Sequence, residues 1–216
     1  SVIIVSVKDP DFSSKLLNKI ICLNENSNVE IIIIFTKLDL LLSEEFENIQ
    51  RIMNYYKEIG YNVFSNNDED IDEFKNLVSQ KYVSISGQSG AGKSTFINKI
   101  SSNLDIETGE ISKHLGRGRH TTRHTEFYRI DDFYIADTPG FSSLDLTFIE
   151  KEDIQYLFKE FSEYECKFKP CNHIEEIQCG VKHAVEEEAI LQSRYDDYKA
   201  LFKEKETQKR KYIKEK

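Results

Sequence analysis

Apolar runs of strand length alternate with segments of helical spacing through the first two thirds of the chain. The runs predict strands near residues 2–7, 29–35, 61–64 and 82–86, and a two-stranded hairpin over 125–130 and 133–136. Helices are predicted near residues 13–23, 43–59 and 71–80. This alternation is typical of an α/β fold, in which a mostly parallel sheet carries helices on both faces.

The pattern changes after Leu146, where strand-like runs stop and cysteines gather around Pro170. We therefore expect a first domain over residues 1–146 and a small C-terminal domain over 147–216. From Val181 onward the residues are helix formers. A solvated helix there would bury one apolar stripe, formed by Leu191, Tyr195, Tyr198 and Phe202.

Composition and charge narrow the class of protein. With 216 residues, 39% of them hydrophobic and only three prolines, the chain can bury a core. Its net charge of −9 argues against general coating of nucleic acid but leaves room for local basic patches. No apolar run approaches the roughly 20 residues that span a bilayer.

The start of the chain bears on its location and its extent. No signal-peptide pattern precedes the first strand, so we expect a reducing, cytoplasmic location. Ser1 leads directly into that strand, and the only methionine is Met53. We therefore expect the chain to continue a longer polypeptide or to be an excised piece of one.

The segment GQSGAGKST fits the phosphate-loop pattern G-x-x-x-x-G-K-[ST] between a predicted strand and a predicted helix. Such a loop points successive backbone N–H groups at phosphate oxygens at a helix N-terminus. Lys93 is expected to reach the β- and γ-phosphates, and the Ser94 hydroxyl to ligate Mg²⁺. The predicted binding residues are Gly87, Gln88, Ser89, Gly90, Ala91, Gly92, Lys93, Ser94 and Thr95.

Two further motifs complete a predicted GTP site. Asp137 and Gly140 in ADTPG would hold Mg²⁺ and meet the γ-phosphate, although D-x-P-G by itself is often only a turn. TKLD supplies Thr36, Lys37 and Asp39, whose carboxylate can accept from the two donors that guanine presents. A strand ending in a polar turn looks the same as TKLD. Ser65, just past the third predicted strand, is expected to supply backbone contacts to guanine O6.

Four residues of metal-ligand type, Cys166, Cys171, His173 and Cys179, lie within 14 positions of one another. Three thiolates and one imidazole suit tetrahedral Zn²⁺, and a site filled by protein alone is structural rather than catalytic. The included histidine and the reducing location disfavour disulfides. Cys22, in an apolar helical stretch, is expected simply to pack.

The guanine motif precedes the phosphate loop, the reverse of the order in ordinary GTPases, so the domain is expected to be circularly permuted. The chain resembles the small-subunit-dependent GTPases of the RsgA (YjeQ, YloQ) family. The residues that carry this resemblance are TKLD, GQSGAGKST, GRGRHTTRHTE, ADTPGF and the C-x4-C-x-H-x5-C cluster.

The resemblance implies hydrolysis of GTP to GDP and phosphate, stimulated by the small (30S) ribosomal subunit late in its assembly. It also implies zinc at the four cysteine and histidine positions and contact of that unit with ribosomal RNA. Family members carry an oligonucleotide-binding barrel before the GTPase domain. No room for a barrel exists ahead of Val2, so we expect it to have been omitted or cleaved; we also expect a monomer.

The next question is which residue orients the water that attacks GTP. Phe141 follows D-T-P-G at the place where other GTPases have a glutamine that orients water, so slow intrinsic turnover is expected. His120 is the best internal candidate for that function, with a structural histidine as the alternative. It lies in a basic segment, residues 113–129, where either Thr121 or Thr122 would close on Mg²⁺. Arginines of the segment would meet RNA, unless it is a solvated basic loop without RNA contact.

Two other classes of function stay open. One is a GTP-dependent switch with a different protein partner. The other is a zinc-stabilised RNA-binding module with a vestigial nucleotide site, which the intact Gly92, Lys93, Ser94 and Asp137 argue against.

Overall fold

A six-stranded sheet organises the first part of the chain in a computed structural model that describes residues 1–101, 126–137 and 146–214. For residues 126–128, 137 and 208–214 only the backbone is described. The strands are β1 (Val2–Ser6), β2 (Ile32–Thr36), β3 (Asn62–Ser65), β4 (Tyr82–Gly87), β5 (Glu126–Ile130) and β6 (Phe133–Asp137). Their spatial order is β3-β2-β1-β4-β6-β5, and only β5 runs antiparallel to its neighbour.

The predicted strands and the hairpin are confirmed. The central strands read as continuous apolar runs because both of their faces are buried, as in parallel sheets generally. In register, Ile4 of β1 lies between Ile34 of β2 and Gly87 of β4. Side chains of Ile4 and Ile34 enter one core, whereas Ile3 and Phe35 are buried on the opposite face.

The helices are α1 (Ser14–Asn26), α2 (Ser43–Glu58), α3 (Asp68–Val78), α4 (Lys93–Ile100), α5 (Gly180–Glu186) and α6 (Gln192–Lys214). Short 3-10 helices cover Leu38–Leu40, Lys151–Leu157 and Lys159–Glu163. Ser13 and Asn67 cap α1 and α3 with side-chain oxygens that accept backbone N–H groups. No helix in the described ranges is long and apolar enough to cross a membrane.

One face of the sheet packs against α3 and α4. Phe74 of α3 is fully buried, and its ring meets Phe64, Phe96 and Phe133 edge to face at centroid distances of 6.4, 5.2 and 6.3 Å. Edge-to-face packing is a favoured geometry for aromatic rings, so this cluster ties helix α4, which follows the phosphate loop, to the sheet.

The chain divides into two compact units, each made of two segments. The first consists of Ser1–Phe12 and Glu30–Ser143, and the second of Ser13–Val29 and Leu144–Lys216. The division therefore differs from the one predicted at residue 146, because α1 belongs with the C-terminal segment. An apolar helical face between two strands does not reveal which partner it will pack against.

Polar contacts explain where α1 belongs. Arg194 of α6 is 1% exposed and donates to both carboxylate oxygens of Glu160, at 2.7 and 3.0 Å. Its third bond goes to Asn18 of α1 at 2.6 Å, and the Asn18 amide donates to Asp197 at 2.8 Å. A buried guanidinium needs such partners, so α1 completes the interior of the second unit. Cys22 of α1 is packed in that interior, as predicted.

Candidate active site and metal centre

The predicted nucleotide residues gather at one edge of the sheet. Parallel strands bring their carboxyl ends to the same side, which is where ligands bind in open α/β sheets. TKLD begins at the end of β2, Ser65 ends β3, the phosphate loop begins at the end of β4, and Asp137 ends β6. The four motifs are thus brought together by strand order alone, although TKLD precedes the phosphate loop in the chain.

The phosphate loop depends on glycine where it leaves the sheet. Gly87 has a φ of +143°, and a Cβ there would lie 2.2 Å from the carbonyl oxygen of Ile4. Gly92, with a φ of +85°, is the residue from which α4 starts. Side chains at these two positions would block the backbone path that aims the loop's N–H groups at a phosphate.

Lys93 curls back over the loop. Its ammonium donates to the carbonyl oxygens of Gly87 at 2.8 Å and Gln88 at 2.7 Å. Partial burial lowers the pKa of Lys93. A nucleotide phosphate would offer this ammonium a stronger, charged acceptor than the two carbonyls do. Gln88, Ser89, Gly90 and Thr95 are exposed at the mouth of the loop, and Ala91 is buried beneath it.

The guanine motif and the phosphate loop are hydrogen-bonded to each other. The Thr36 hydroxyl donates to the Ala91 carbonyl at 2.8 Å, and Thr36 is 3% exposed. Thr36 therefore holds the main chain of the phosphate loop from its buried side and is not exposed to a nucleotide. Lys37 has a left-handed backbone (φ 63°) and donates its ammonium to the Asp9 carbonyl.

The segment after β1 was not identified from the sequence as part of the site. Asp9 accepts from Lys37, and Pro10 lies 3.5 Å from where a Cβ on Gly90 would be. Residues 8–10 thus lie beside both the guanine motif and the phosphate loop. Their position directly after a buried parallel strand was the signal available in the sequence.

Asp39 and Ser65, the two residues predicted to contact the guanine base, differ in their exposure. Asp39 is exposed on the 3-10 helix Leu38–Leu40 at the edge where β2 ends. The Ser65 N–H instead donates to the Asp70 carboxylate at 2.5 Å, and Ser65 is buried. Lys99 of α4 donates to the neighbouring Asn66 carbonyl at 2.6 Å. This loop is therefore held by side chains that the motifs did not identify, and a role of Ser65 toward guanine stays a prediction.

Several predicted site residues cannot be placed. His120, Thr121, Thr122 and Gly140 lie outside the described residues. Asp137 ends strand β6, and only its backbone is described. Their assigned roles stay predictions.

The second candidate site is a cluster of Cys166, Cys171, His173 and Cys179, whose ligand atoms all lie within 4.8 Å of one another. The His173 Nδ1 atom is 3.4, 3.5 and 3.3 Å from the sulfurs of Cys166, Cys171 and Cys179. Cys166 and Cys179 sulfurs are 3.7 Å apart. Zinc bonds of about 2.3 Å to sulfur and 2.0–2.1 Å to nitrogen put tetrahedral ligands about 3.6–3.8 Å apart, so the set fits that ion.

The ionisation of these side chains also points to a cation. Burial raises the pKa of Cys179 and takes that of Cys171 to about 12, because a thiolate is disfavoured away from water. Burial lowers the pKa of His173, which keeps the imidazole neutral and able to ligate. Burial opposes ionisation of Cys166 too, but hydrogen bonds from the Gly180 and Val181 N–H groups lower its pKa overall. Thiolates at Cys171 and Cys179 would be stabilised by the positive charge of a bound metal.

Side chains outside the cluster hold its loops. Hydroxyls of Tyr195 and Tyr198 on α6 donate to the carbonyls of His173 at 2.6 Å and Asn172 at 2.5 Å. The Gly180 N–H donates to the Cys166 sulfur at 3.3 Å, and a Cβ on Gly180 would lie 2.3 Å from the Glu165 carbonyl oxygen. These partners orient the ligands, as outer-shell groups of metal sites generally do.

Comparison with known proteins identifies the family of this chain and several relatives. A sequence model of the RsgA GTPase family matches residues 1–147. A protein of Staphylococcus saprophyticus named small ribosomal subunit biogenesis GTPase RsgA is 42% identical over 98% of this chain and 74% of its own length. A protein of the same name from Clostridium perfringens is 40% identical over 91% of this chain and 69% of its own length.

Solved structures give the same picture. The crystal structure of YjeQ from Thermotoga maritima matches with a TM-score of 0.79 and 31% identity, over 94% of this chain and 70% of that one. The crystal structure of YloQ, described as a circularly permuted GTPase, matches with a TM-score of 0.75 and 32% identity, over 96% of this chain and 68% of that one. The early guanine motif and later phosphate loop of this chain agree with that description.

Proposed function

Because the chain belongs to the RsgA GTPase family and is a GTP-hydrolysing enzyme, we propose that it acts late in the biogenesis of the small ribosomal subunit. Its relatives' name supports the process. In this proposal, the small subunit and its ribosomal RNA bind the protein and stimulate conversion of GTP to GDP and phosphate. One chain carries both candidate sites, which supports action as a monomer. Action in ribosome assembly supports the cytoplasm as its location.

GTP would lie along the carboxyl edge of the sheet. The backbone N–H groups of residues 88–95 and the Lys93 ammonium would bind its phosphates, while the exposed Asp39 carboxylate would accept from the guanine ring. Ser94 and Asp137 would hold Mg²⁺, which supplies charge neutralisation on the β- and γ-oxygens. The hydrogen bond from the Thr36 hydroxyl to the Ala91 carbonyl, at 2.8 Å, carries this proposal. It joins the TKLD motif, which would bind guanine, to the loop that would bind the phosphates.

Hydrolysis would be slow in the free protein. Phosphoryl transfer depends on positioning of the attacking water, and the apolar ring of Phe141 cannot do so by hydrogen bonding. We propose that bound small subunits complete the site, with His120 as the residue that orients water and Thr121 or Thr122 on Mg²⁺. The basic segment 113–129 supplies arginines for ribosomal RNA.

The cluster of Cys166, Cys171, His173 and Cys179 would hold one structural zinc ion. Support comes from the spacing of the ligand atoms, which is 3.3–3.7 Å for four of the six atom pairs and at most 4.8 Å for all of them. Four protein ligands close the tetrahedron, so the ion would stabilise the loops of the second unit rather than bind substrate.

The test is GTP turnover by the chain alone and with purified small ribosomal subunits. We expect stimulation by small subunits and none by large subunits. Lys93→Ala should lower stimulated turnover on the order of 100-fold, because it removes one preorganised donor from the phosphates. Lys57→Ala removes an exposed cation from the end of α2 and serves as the control, with turnover unchanged. Equal response to both subunits would refute the proposal.

A further inference from the structure

We propose that Glu176 is a positioning residue for the metal centre, because its carboxylate fixes the turn of main chain that carries the ligand His173. This inference rests on the proposed structural metal ion and adds to it the residue that orients one of its ligands. Glu176 is half-buried and lies between His173 and Cys179 in the chain. It is not one of the four residues whose ligand atoms lie within 4.8 Å of one another.

The Glu176 carboxylate binds the main chain on both sides of His173. One oxygen accepts from the Asn172 N–H at 2.6 Å, and the other accepts from the Ile174 N–H at 2.8 Å. Neither N–H belongs to a helix or a strand, so no regular structure supplies it with an acceptor. One side chain thus fixes the spacing of the two peptide groups that flank the ligand.

The backbone of His173 requires such support, because it is left-handed with a φ of 57°. In this region the Cβ of an L residue crowds a carbonyl oxygen of its own main chain, so surrounding contacts must hold the conformation. The Tyr195 hydroxyl holds the His173 carbonyl at 2.6 Å, and Glu176 holds the N–H groups before and after it. This turn places the His173 Nδ1 atom 3.3–3.5 Å from the three cysteine sulfurs.

Glu176 is itself anchored to helix α5. The Lys182 ammonium on α5 donates to the Glu176 carbonyl at 3.0 Å, and the ligand Cys179 is the N-cap of the same helix. Both carboxylate oxygens of Glu176 are engaged by N–H donors, and four other side chains already suffice for a tetrahedral ion. Glu176 therefore acts through His173 and is not a fifth ligand.

The test compares Glu176→Gln with Glu175→Gln, which makes the same change of charge at the neighbouring, exposed residue of the same loop. A glutamine offers one carbonyl oxygen, so Glu176→Gln leaves one of the two N–H groups without its acceptor. The Zn²⁺ affinity of the full chain is measured by competition with a chelator. We expect Glu176→Gln to weaken it about 10- to 100-fold, as for other outer-shell groups, and Glu175→Gln to leave it unchanged.

A second measurement separates positioning of His173 from general support of the fold. In a His173→Ala background the ligand that Glu176 orients is absent, so adding Glu176→Gln should change the Zn²⁺ affinity by less than about twofold. The Co²⁺-loaded chain provides a spectroscopic check, because the visible absorption of Co²⁺ depends on its coordination geometry. We expect that absorption to change in Glu176→Gln and to stay the same in Glu175→Gln.

Three outcomes would contradict the role of Glu176. Equal Zn²⁺ affinity of Glu176→Gln and the parent chain would overturn it. An equal loss of affinity with and without the His173 imidazole would also overturn it, because Glu176 would then support the loops in general. A parent chain that binds neither Zn²⁺ nor Co²⁺ would refute the metal centre and this inference together, whereas GTP turnover with small subunits tests the proposed action in ribosome biogenesis separately.

Discussion

Single residues of the candidate nucleotide site are linked to one another through main-chain atoms. Thr36 holds the Ala91 carbonyl, and Lys37 holds the Asp9 carbonyl beside the phosphate loop. Lys99 holds the Asn66 carbonyl in the loop that follows β3. These side chains thus link the loops that would bind the base and the phosphates of GTP. Substituting one of them would shift the main chain of a loop rather than remove a direct contact to the nucleotide.

Asp39 is the residue on which base choice should depend. Asp39→Asn replaces the carboxylate that would accept from guanine, so we expect GTP to bind about 10- to 100-fold more weakly, as for a lost hydrogen bond to a charged group. Xanthosine triphosphate, with an oxygen in place of the exocyclic amine, should bind better than before. Competition binding of the two nucleotides measures this.

The control for base choice is Glu44→Gln, which removes one exposed carboxylate at the start of α2. It should leave the preference for GTP unchanged. Undiminished discrimination against xanthosine triphosphate in Asp39→Asn would contradict the guanine assignment.

At the scale of elements, α1 is the connection that departs from the simple crossover pattern. It follows β1 and precedes β2, yet its polar contacts are with α6: Asn18 bonds Arg194 and Asp197, and Lys19 pairs with Glu204 at 2.7 Å. Burial raises the pKa of Asp197, in spite of its bond from Asn18. Helix α1 is therefore part of the buried polar network that organises the second unit.

Removal of one partner of the buried Arg194–Glu160 ion pair should destabilise that unit strongly. Arg194→Met leaves the Glu160 carboxylate buried without its partner, so we expect a loss of about 3–5 kcal/mol in the free energy of unfolding. Hydrogen exchange of α1 and α6 amides under increasing urea reports this unit separately from the other.

Lys199→Met gives the matched comparison on the same helix. Its pair with Asp196 at 2.8 Å is exposed and three residues apart, so its loss should cost no more than about 0.5 kcal/mol. A similar cost for Arg194→Met and Lys199→Met would show that the buried pair contributes little.

At the scale of the whole molecule, each compact unit is discontinuous in sequence. The first contains the predicted nucleotide-binding residues and the second the candidate metal ligands, while residues 13–29 of the second interrupt the first. Three chain connections, near residues 12, 29 and 143, therefore join the two units, where units that are continuous in sequence would have one.

Removal of the metal should reveal this division. With a chelator that leaves Mg²⁺ bound, we expect loss of the metal ion and new protease sites in residues 144–216 and also in 13–29, because both segments share one core. Mass spectrometry of the fragments identifies the sites. Cleavage confined to 147–216 would favour the boundary predicted from sequence, and unchanged protease resistance after complete metal loss would contradict a structural metal.

Much of the fold was predictable because its signals are local. Apolar runs marked the strands, and the glycines of GQSGAGKST marked a loop whose backbone path excludes side chains, as the 2.2 Å approach at Gly87 shows. The spacing of Cys166, Cys171, His173 and Cys179 likewise carried the metal-ligand pattern, and the structure brings these four together. The order of the motifs indicated permutation, and the relatives agree.

The sequence by itself thus determined the strands, the phosphate-loop motif, the candidate ligand cluster and the family, because each depends on residues near one another in the chain. Only the tertiary structure decided that α1 joins the second unit, that Asp70 takes the Ser65 N–H and that Asp9 supports Lys37. The position of α1 in the second unit depends on a hydrogen bond from the buried guanidinium of Arg194 to Asn18, which lies 176 residues earlier in the chain. Placing the other two depends on which main-chain groups the packed loops leave within hydrogen-bond reach, and no local pattern encodes that.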